Sequence, residues 1–529
     1  MPMASSISPK GLNDLLDSGS SVALIDVREH GEFNSSHIAG FTSLPRRLLE
    51  LEMEYLVPFP GVRVVVCDDD GRRARLAAST LERMGYGNVS VLEGGVNRWT
   101  TDGYPTEWGM NVPSKDFGER VEVVHQVPEM DADELHARVR RGERLVILDT
   151  RTPEEYARFC IPGGRSVPGG ELALRVTDIL REAGEGATVV VNCAGRTRSI
   201  IGTRALQRMG LANVYGLKNG TSGWVLAGLE LETGAGRVLL PPPSREGLAA
   251  AEGYAARLAA EDGVRYVDAS QLQSVMGKAH EEPVYLVDVR TLEEYRAGHI
   301  PGFRWFPGGQ AVQRSDDLVG VRDGAIVFAC DGVARSTVTA SWYLQMGYPN
   351  VHALHGGTAA WRAAGLPLET GIPDRPPFGL EEARRTVRLA RAAELKDDEA
   401  RTVIFVDTSR EFAAGHVPGS AWVPRGWLEV RVVNLVSNKD APLAVTCSDG
   451  VASCLAAATL AGMGYRDVWA LDGGLAAWTA AGFATERGLT GVMAPPNDVV
   501  PTGPDRGYAD MMHYLRWEED LGRKYQVVQ

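Results

Sequence analysis

A tryptophan recurs at the same place in four copies of one pattern, and that register constrains the fold more than any single motif. The copies read GGVNRW (Gly94 to Trp99), NGTSGW (Asn219 to Trp224), GGTAAW (Gly356 to Trp361) and GGLAAW (Gly473 to Trp478). Counting back 31 residues from each Trp lands on Asp68, Cys193, Cys330 and Cys447. Each of these follows an apolar run and precedes a helical stretch ending in Met-Gly. A unit of about 120 residues that repeats in this way cuts the chain into four domains. Punctuation by Pro, Gly and charge places them at 1–110, 121–234, 263–372 and 378–488, with a linker and C-terminal helix over 489–529.

Each copy opens with an apolar strand ending in an acidic residue, at Asp26, Asp149, Asp288 and Asp407. An acidic-aromatic segment follows, then a Pro-Gly or Ala-Gly turn, the loop at Asp68 or Cys, a helix, a short strand and the Gly-rich turn. Short apolar strands alternating with amphipathic helices predict an α/β fold, four tandem domains that are each a parallel sheet flanked by helices. The stretch after PPPSREG reads as an Ala-rich helix, and LEEARRTVRLARAAELKDDEA, with alternating charge, as a surface helix. The final YADMMHYLRWEEDLGRKY is amphipathic and expected to dock within the chain through Met512, Tyr514, Leu515 or Trp517.

The net charge of -13 disfavours nucleic acid as a partner, because counterion release needs a basic face. No run of ~18 apolar residues offers a membrane span, and the opening MPMASSISPKGL lacks the flanks of a signal peptide. Six cysteines, three at repeat-equivalent positions, suit a reducing, cytoplasmic setting rather than a disulfide scaffold. The turn histidines His37, His299 and His416 have no second His at metal-ligand spacing, so they are expected to be hydrogen-bonded turn residues and no metal is expected.

A Cys at the end of a buried strand, followed by a tight loop and a helix, is an anion-binding arrangement. Loop N–H groups and the helix N-terminus favour negative charge, lower the thiol pKa and present the thiolate as a nucleophile. In the second copy the loop is Cys193-Ala194-Gly195-Arg196-Thr197-Arg198-Ser199, where Arg196, Arg198 and Ser199 are candidates to bind an oxyanion. In the third, Cys330 is joined by Arg335 and Ser336. The D-x-R segments, the GHIPG and GHVPG turns, the Cys loops and the GG-x-x-x-W endings together resemble the rhodanese family of sulfurtransferases. That resemblance implies catalytic roles for Cys193, Cys330 and Cys447, each accepting sulfane sulfur as a persulfide. It further implies a small anionic sulfur donor such as thiosulfate, a thiol (small molecule or protein) or cyanide as acceptor, and no cofactor.

The copies are unequal. Asp68-Asp69-Asp70 puts a carboxylate where the nucleophile belongs, so the first domain is expected to be inactive. Cys67, one residue early, should turn away from the loop by strand alternation. Cys160 reads as a packed structural thiol. Asp331 opposes an anion in the third loop. The fourth, Cys447-Ser448-Asp449-Gly450-Val451-Ala452-Ser453-Cys454, has lost its Arg. It is similar to the C-G-[ST]-G-V-T-A-C loop of mercaptopyruvate sulfurtransferases but for Asp449, which leaves mercaptopyruvate as an alternative donor. The residues Arg28, Arg151 and Arg290 are read as structural ties between strand end and loop. A cysteine phosphatase needs C-x5-R, whereas these loops are C-x4-R, too small for a phosphoryl group. The competing function is a non-enzymatic binding or regulatory protein built from degenerate repeats, which a slow thiol alkylation rate would reveal.

Overall fold

The computed structural model describes residues 5–238 and 240–526. It contains four five-stranded sheets, every strand pair parallel, and in each the strands run in the spatial order first, fifth, fourth, second, third. The fourth strand is therefore central, covered on both faces, which is why it reads as an unbroken apolar run rather than an alternating one. The four central strands, Val64–Cys67, Thr188–Asn192, Ala325–Ala329 and Leu443–Thr446, are buried throughout. Each delivers its carboxyl end to one of the four loops of the register.

The domains pair within two compact units. One consists of residues up to Met110 with Asp374–Val500, the other of Asn111–Pro373 with residues from Pro501 onward. The first domain thus packs on the fourth, and the second on the third. In the first unit the contact is reciprocal at equivalent positions. Arg46 donates to Glu429 at 2.8 Å in a partly buried bond, while Arg425 grips Glu50 with two buried bonds of 2.9 and 2.6 Å. Arg425 outweighs the burial of Glu50 and draws its carboxyl down to about 2. In the second unit, Arg335 of the third domain reaches Glu171 of the second at 2.7 Å.

Two segments differ from the reading of the sequence. The stretch taken as a linker before Val121 forms the helix Val112–His125, which buries Phe117 and Val121 and packs in the second unit. The expected surface helix near Arg384 is interrupted: helix Leu380–Thr386 gives way to strand Arg388–Ala390, then to helix Ala392–Asp397. The strand pairs with Val468–Leu471, and at its exit the Arg391 N–H donates to Glu394 Oε2 at 2.9 Å where the second helix starts. Charge alternation at helical spacing did not register the sheet edge that these three residues complete. The Ala-rich stretch is helical as read (Arg245–Asp262), and the C-terminal helix Tyr508–Gln526 docks on Val112–His125, burying Met511 and Leu515.

Candidate active site

The Gly-rich turn and the loop at Asp68 or Cys are one construction. The backbone N–H immediately after the turn's positive-φ pair donates to the carbonyl of the register residue: Val96 to Asp68, Thr221 to Cys193, Thr358 to Cys330 and Leu475 to Cys447, at 2.8 to 2.9 Å. The second residue of each positive-φ pair, a glycine in every copy, lies against that same carbonyl. At Gly220, with φ of 53°, a Cβ would stand 2.2 Å from the Cys193 oxygen. Only glycine permits both the left-handed backbone and this approach. The Trp that ends the pattern is buried, and its indole N–H donates six residues onward, to Pro105, Glu230, Pro367 and Ala484 at 2.8 to 2.9 Å. The constant spacing is therefore a clamp that holds the loop from below.

Above the clamp each loop opens onto a helix N-terminus, at Arg72–Arg83, Thr197–Met209, Ala334–Gln345 and Val451–Gly462. What this cradle holds is clearest in the first and fourth domains. The N–H groups of Gly71 and Arg73 donate to the Asp68 carboxylate, the latter at 2.7 Å. The N–H groups of Gly450 and Ser453 donate to the Cys447 sulfur at 3.1 and 3.3 Å. A fixed anion in one copy and a thiol in the other occupy the same ring of donors. Cys193 and Cys330 hold the same position, the former donating its thiol hydrogen to Ser199 Oγ at 3.6 Å, the latter 3.3 Å from Ser336 Oγ.

The pattern of the Rhodanese-like domain matches residues 8–102, 131–227, 268–364 and 389–481. The chain belongs to the rhodanese family. A crystal structure of thiosulfate sulfurtransferase from Pseudomonas aeruginosa is similar over 99% of this chain and 98% of its own, with 35% identity and a TM-score of 0.89. The thiosulfate sulfurtransferase GlpE of Pseudomonas putida (strain GB-1) is 37% identical over 91 residues, 17% of this chain and 79% of that protein. The probable adenylyltransferase/sulfurtransferase MoeZ of Mycobacterium tuberculosis is 35% identical over 103 residues, 19% of this chain and 26% of that one. Sulfur transfer is the activity common to these rhodanese relatives.

Within that family frame the loops differ in electrostatics. The arginine five residues after the register position is gripped in three copies by the glutamate that caps the helix after the second strand of the domain. Arg73 pairs with Glu32 at 2.8 Å, Arg198 with Glu155 at 2.8 and 2.9 Å, and Arg335 with Glu294 at 2.6 Å. The glutamate of the acidic-aromatic segment thus both caps a helix and aims the loop arginine, a role that the sequence reading missed. Burial alone would raise Glu155, but Arg198 brings it down to about 2. Burial opposes the charge on Arg198, yet Glu155 and the Cys193 sulfur hold the guanidinium protonated.

Arg196 is placed elsewhere. It is buried against Glu119 of the helix Val112–His125, at 2.7 and 3.0 Å, with Glu129 at 3.3 Å. The sequence offered Arg196 as a substrate contact because Glu119 lies in the segment read as linker. Arg335 divides itself among Glu171, Glu294 and Asp331. Burial pushes the Cys330 thiol up, Arg335 offsets this in part, and Asp331 adds to it.

In the fourth domain Ala452 stands at the arginine position and Ser409 replaces the D-x-R arginine, so Asp407 has no guanidinium beside it of the kind that Asp26, Asp149 and Asp288 have. Asp407 instead accepts from the Ser448 N–H at 2.6 Å. Burial, with Asp407 next in weight, pushes Cys447 up to about 12.

The residues Arg28, Arg151 and Arg290 bond their aspartates and also the carbonyls of Ser36, Phe159 and Gly298, tying strand end to turn. Cys67 is fully buried in the core, where burial and Asp26 raise its thiol well above the ordinary value. Cys160 occupies the place that His37, His299 and His416 take in the other turns, each of these stacked on a ring four residues earlier. Among the described residues no group of three or more His, Cys, Asp or Glu side chains is disposed to hold a metal ion, and no helix is long and apolar enough to cross a membrane.

Proposed function

We propose that the protein takes sulfane sulfur from thiosulfate, or a related anionic donor, as a persulfide on Cys193 and passes it to a thiol or to cyanide. One observation carries the choice of Cys193. Its loop combines a thiol at the register position, bonded to Ser199 Oγ, with Arg198 five residues on and holds no carboxylate of its own, whereas Asp331 and Asp449 sit in the other two thiol loops. The Cys193 thiolate attacks the outer sulfur of thiosulfate, and the S–S bond of the donor breaks. Sulfite leaves with the electron pair, its charge met by Arg198, while the loop N–H groups and Ser199 hold the persulfide.

Cys330 and Cys447 are secondary sites in this reading, with mercaptopyruvate the alternative donor for Cys447, and Ser336 and Arg335 attend Cys330. The first domain is a scaffold whose Asp68 fills its own cradle. A reducing, cytoplasmic setting would keep the six thiols free, as they stand here.

The test is to incubate the full chain with thiosulfate, trap persulfides and map them by mass spectrometry. Label is expected on Cys193, and Cys193→Ser should lower turnover by orders of magnitude. Turnover that survives Cys193→Ser but disappears with Cys330→Ser or Cys447→Ser would overturn the choice of domain.

A further inference from the structure

The C-terminal helix Tyr508–Gln526 does more than cover an apolar face. It lays Tyr514, Leu515 and Glu518 on the Cys193 loop. A Cβ on Gly195 would stand 3.1 Å from Glu518 Oε2, 3.4 Å from the Tyr514 ring and 3.8 Å from Leu515. Glu518 is 1% exposed. Its Oε1 accepts from the Tyr514 hydroxyl at 2.6 Å and from the Thr197 hydroxyl of the loop at 3.5 Å. Its Oε2, the oxygen facing Gly195, is buried without a hydrogen-bond partner. The helix is fixed in place by cations on its rings, Lys115 at 4.9 Å from Tyr514 and 5.2 Å from Trp517, and Arg506 at 4.3 Å from Tyr514.

A buried carboxylate oxygen left without a donor is destabilising, and such an atom is uncommon in a folded protein unless something else satisfies it. Here it is aimed at the loop where the sulfur is to be handed on. The first half of the reaction brings no proton, since thiosulfate and sulfite are anions. The second half does: an acceptor thiol must lose its hydrogen to attack.

Resting on the persulfide reading above, we propose that Glu518 takes the proton from the acceptor thiol at Cys193, with Tyr514 positioning the carboxylate. The thiol proton moves to Glu518 as the acceptor sulfur bonds to the outer sulfur of the persulfide. The bond between that sulfur and Cys193 Sγ breaks, its electron pair staying on Sγ. Glu518 then returns the proton to the transferred sulfur, so the products are the acceptor persulfide and the Cys193 thiolate. Proton and charge balance with no other reactant. Cyanide, reacting as its anion, has no proton to give and bypasses Glu518.

The experiment compares full-length protein with Glu518→Gln and Tyr514→Phe in three measurements. These are first-turnover sulfite release from thiosulfate, sulfur transfer to dithiothreitol, and sulfur transfer to cyanide at alkaline pH. Glu518→Gln is expected to keep sulfite release and cyanide transfer within about twofold while slowing transfer to dithiothreitol at least tenfold. Tyr514→Phe, which keeps the ring packing, should slow the same step less. Equal loss with both acceptors would mean that Glu518 only holds the helix in place, and equal retention that it takes no proton; either overturns the proposal. Failure of Cys193 to form a persulfide at all would instead overturn the functional reading, and this inference with it.

Discussion

Cys447 offers the sharpest quantitative test of how these loops set thiol reactivity. Its thiol stands at about 12 against an ordinary 9.0. At pH 7 that is roughly a thousandfold less thiolate than an unperturbed cysteine would carry, since each pKa unit is tenfold in population. The donor ring of Gly450 and Ser453 is present, so the deficit comes from burial and from Asp407. Iodoacetamide labelling of the full chain, quenched and resolved by peptide mass spectrometry, reads this directly. Burial slows access equally at every pH, so the slope carries the information. The Cys447 rate should climb about tenfold per pH unit from 7 to 10 without a plateau. Asp407→Asn, which keeps an acceptor for the Ser448 N–H, should raise the rate at pH 7 by roughly tenfold. A plateau already reached at pH 8, or a profile that Asp407→Asn leaves unmoved, would refute the assignment of this electrostatic cause.

Two further predictions follow from the clamp and from the domain contact. Gly220→Ala forces both a left-handed alanine and a collision with the Cys193 carbonyl, so hydrogen exchange over 193–199 should lose about 1–3 kcal/mol of protection and thiosulfate turnover should fall with it. Arg425→Met strands Glu50 in the interface of the first unit, and hydrogen exchange in the strands Val64–Cys67 and Leu443–Thr446 should lose about 3–5 kcal/mol of protection at pH 7. Because Glu50 is depressed from 4.5 to about 2 in the folded protein, its contribution is complete above pH 4.5 and is lost as pH falls toward 2. The difference between the proteins should therefore shrink by roughly 1.4 kcal/mol at pH 3.5.

The repeats, the parallel sheets and the position of each thiol were legible because they are written in local pattern: apolar strands, glycines at left-handed turns, a Trp at fixed spacing. What pairs with what was not. Glu119 claims Arg196 from a helix that looked like a linker, because its apolar face, Phe117 and Val121, is too sparse to announce itself. Glu155 and Glu294 were visible as acidic-aromatic segments, but their grip on Arg198 and Arg335 spans 43 and 41 residues and leaves no periodic trace. Glu518 reaches the second domain across 321 residues. Asp407 shows the reverse case, since the missing arginine at Ser409 was readable, while its effect on Cys447 needed the proximity of the two side chains.

The two-domain units alternate along the chain, and this sets an order of assembly. A ribosome adds about 5–20 residues per second. Residues up to Met110 are therefore made about 16 to 64 seconds before Arg425 and Glu429 arrive to complete their reciprocal pairs. Through that interval Arg46 and Glu50 lack these partners, while the segment Asn111–Pro373 of the second unit has already been made. The helix that bears Glu518 is synthesised after both of these segments. The loop at Cys193 is thus synthesised early and covered late by Tyr514, Leu515 and Glu518.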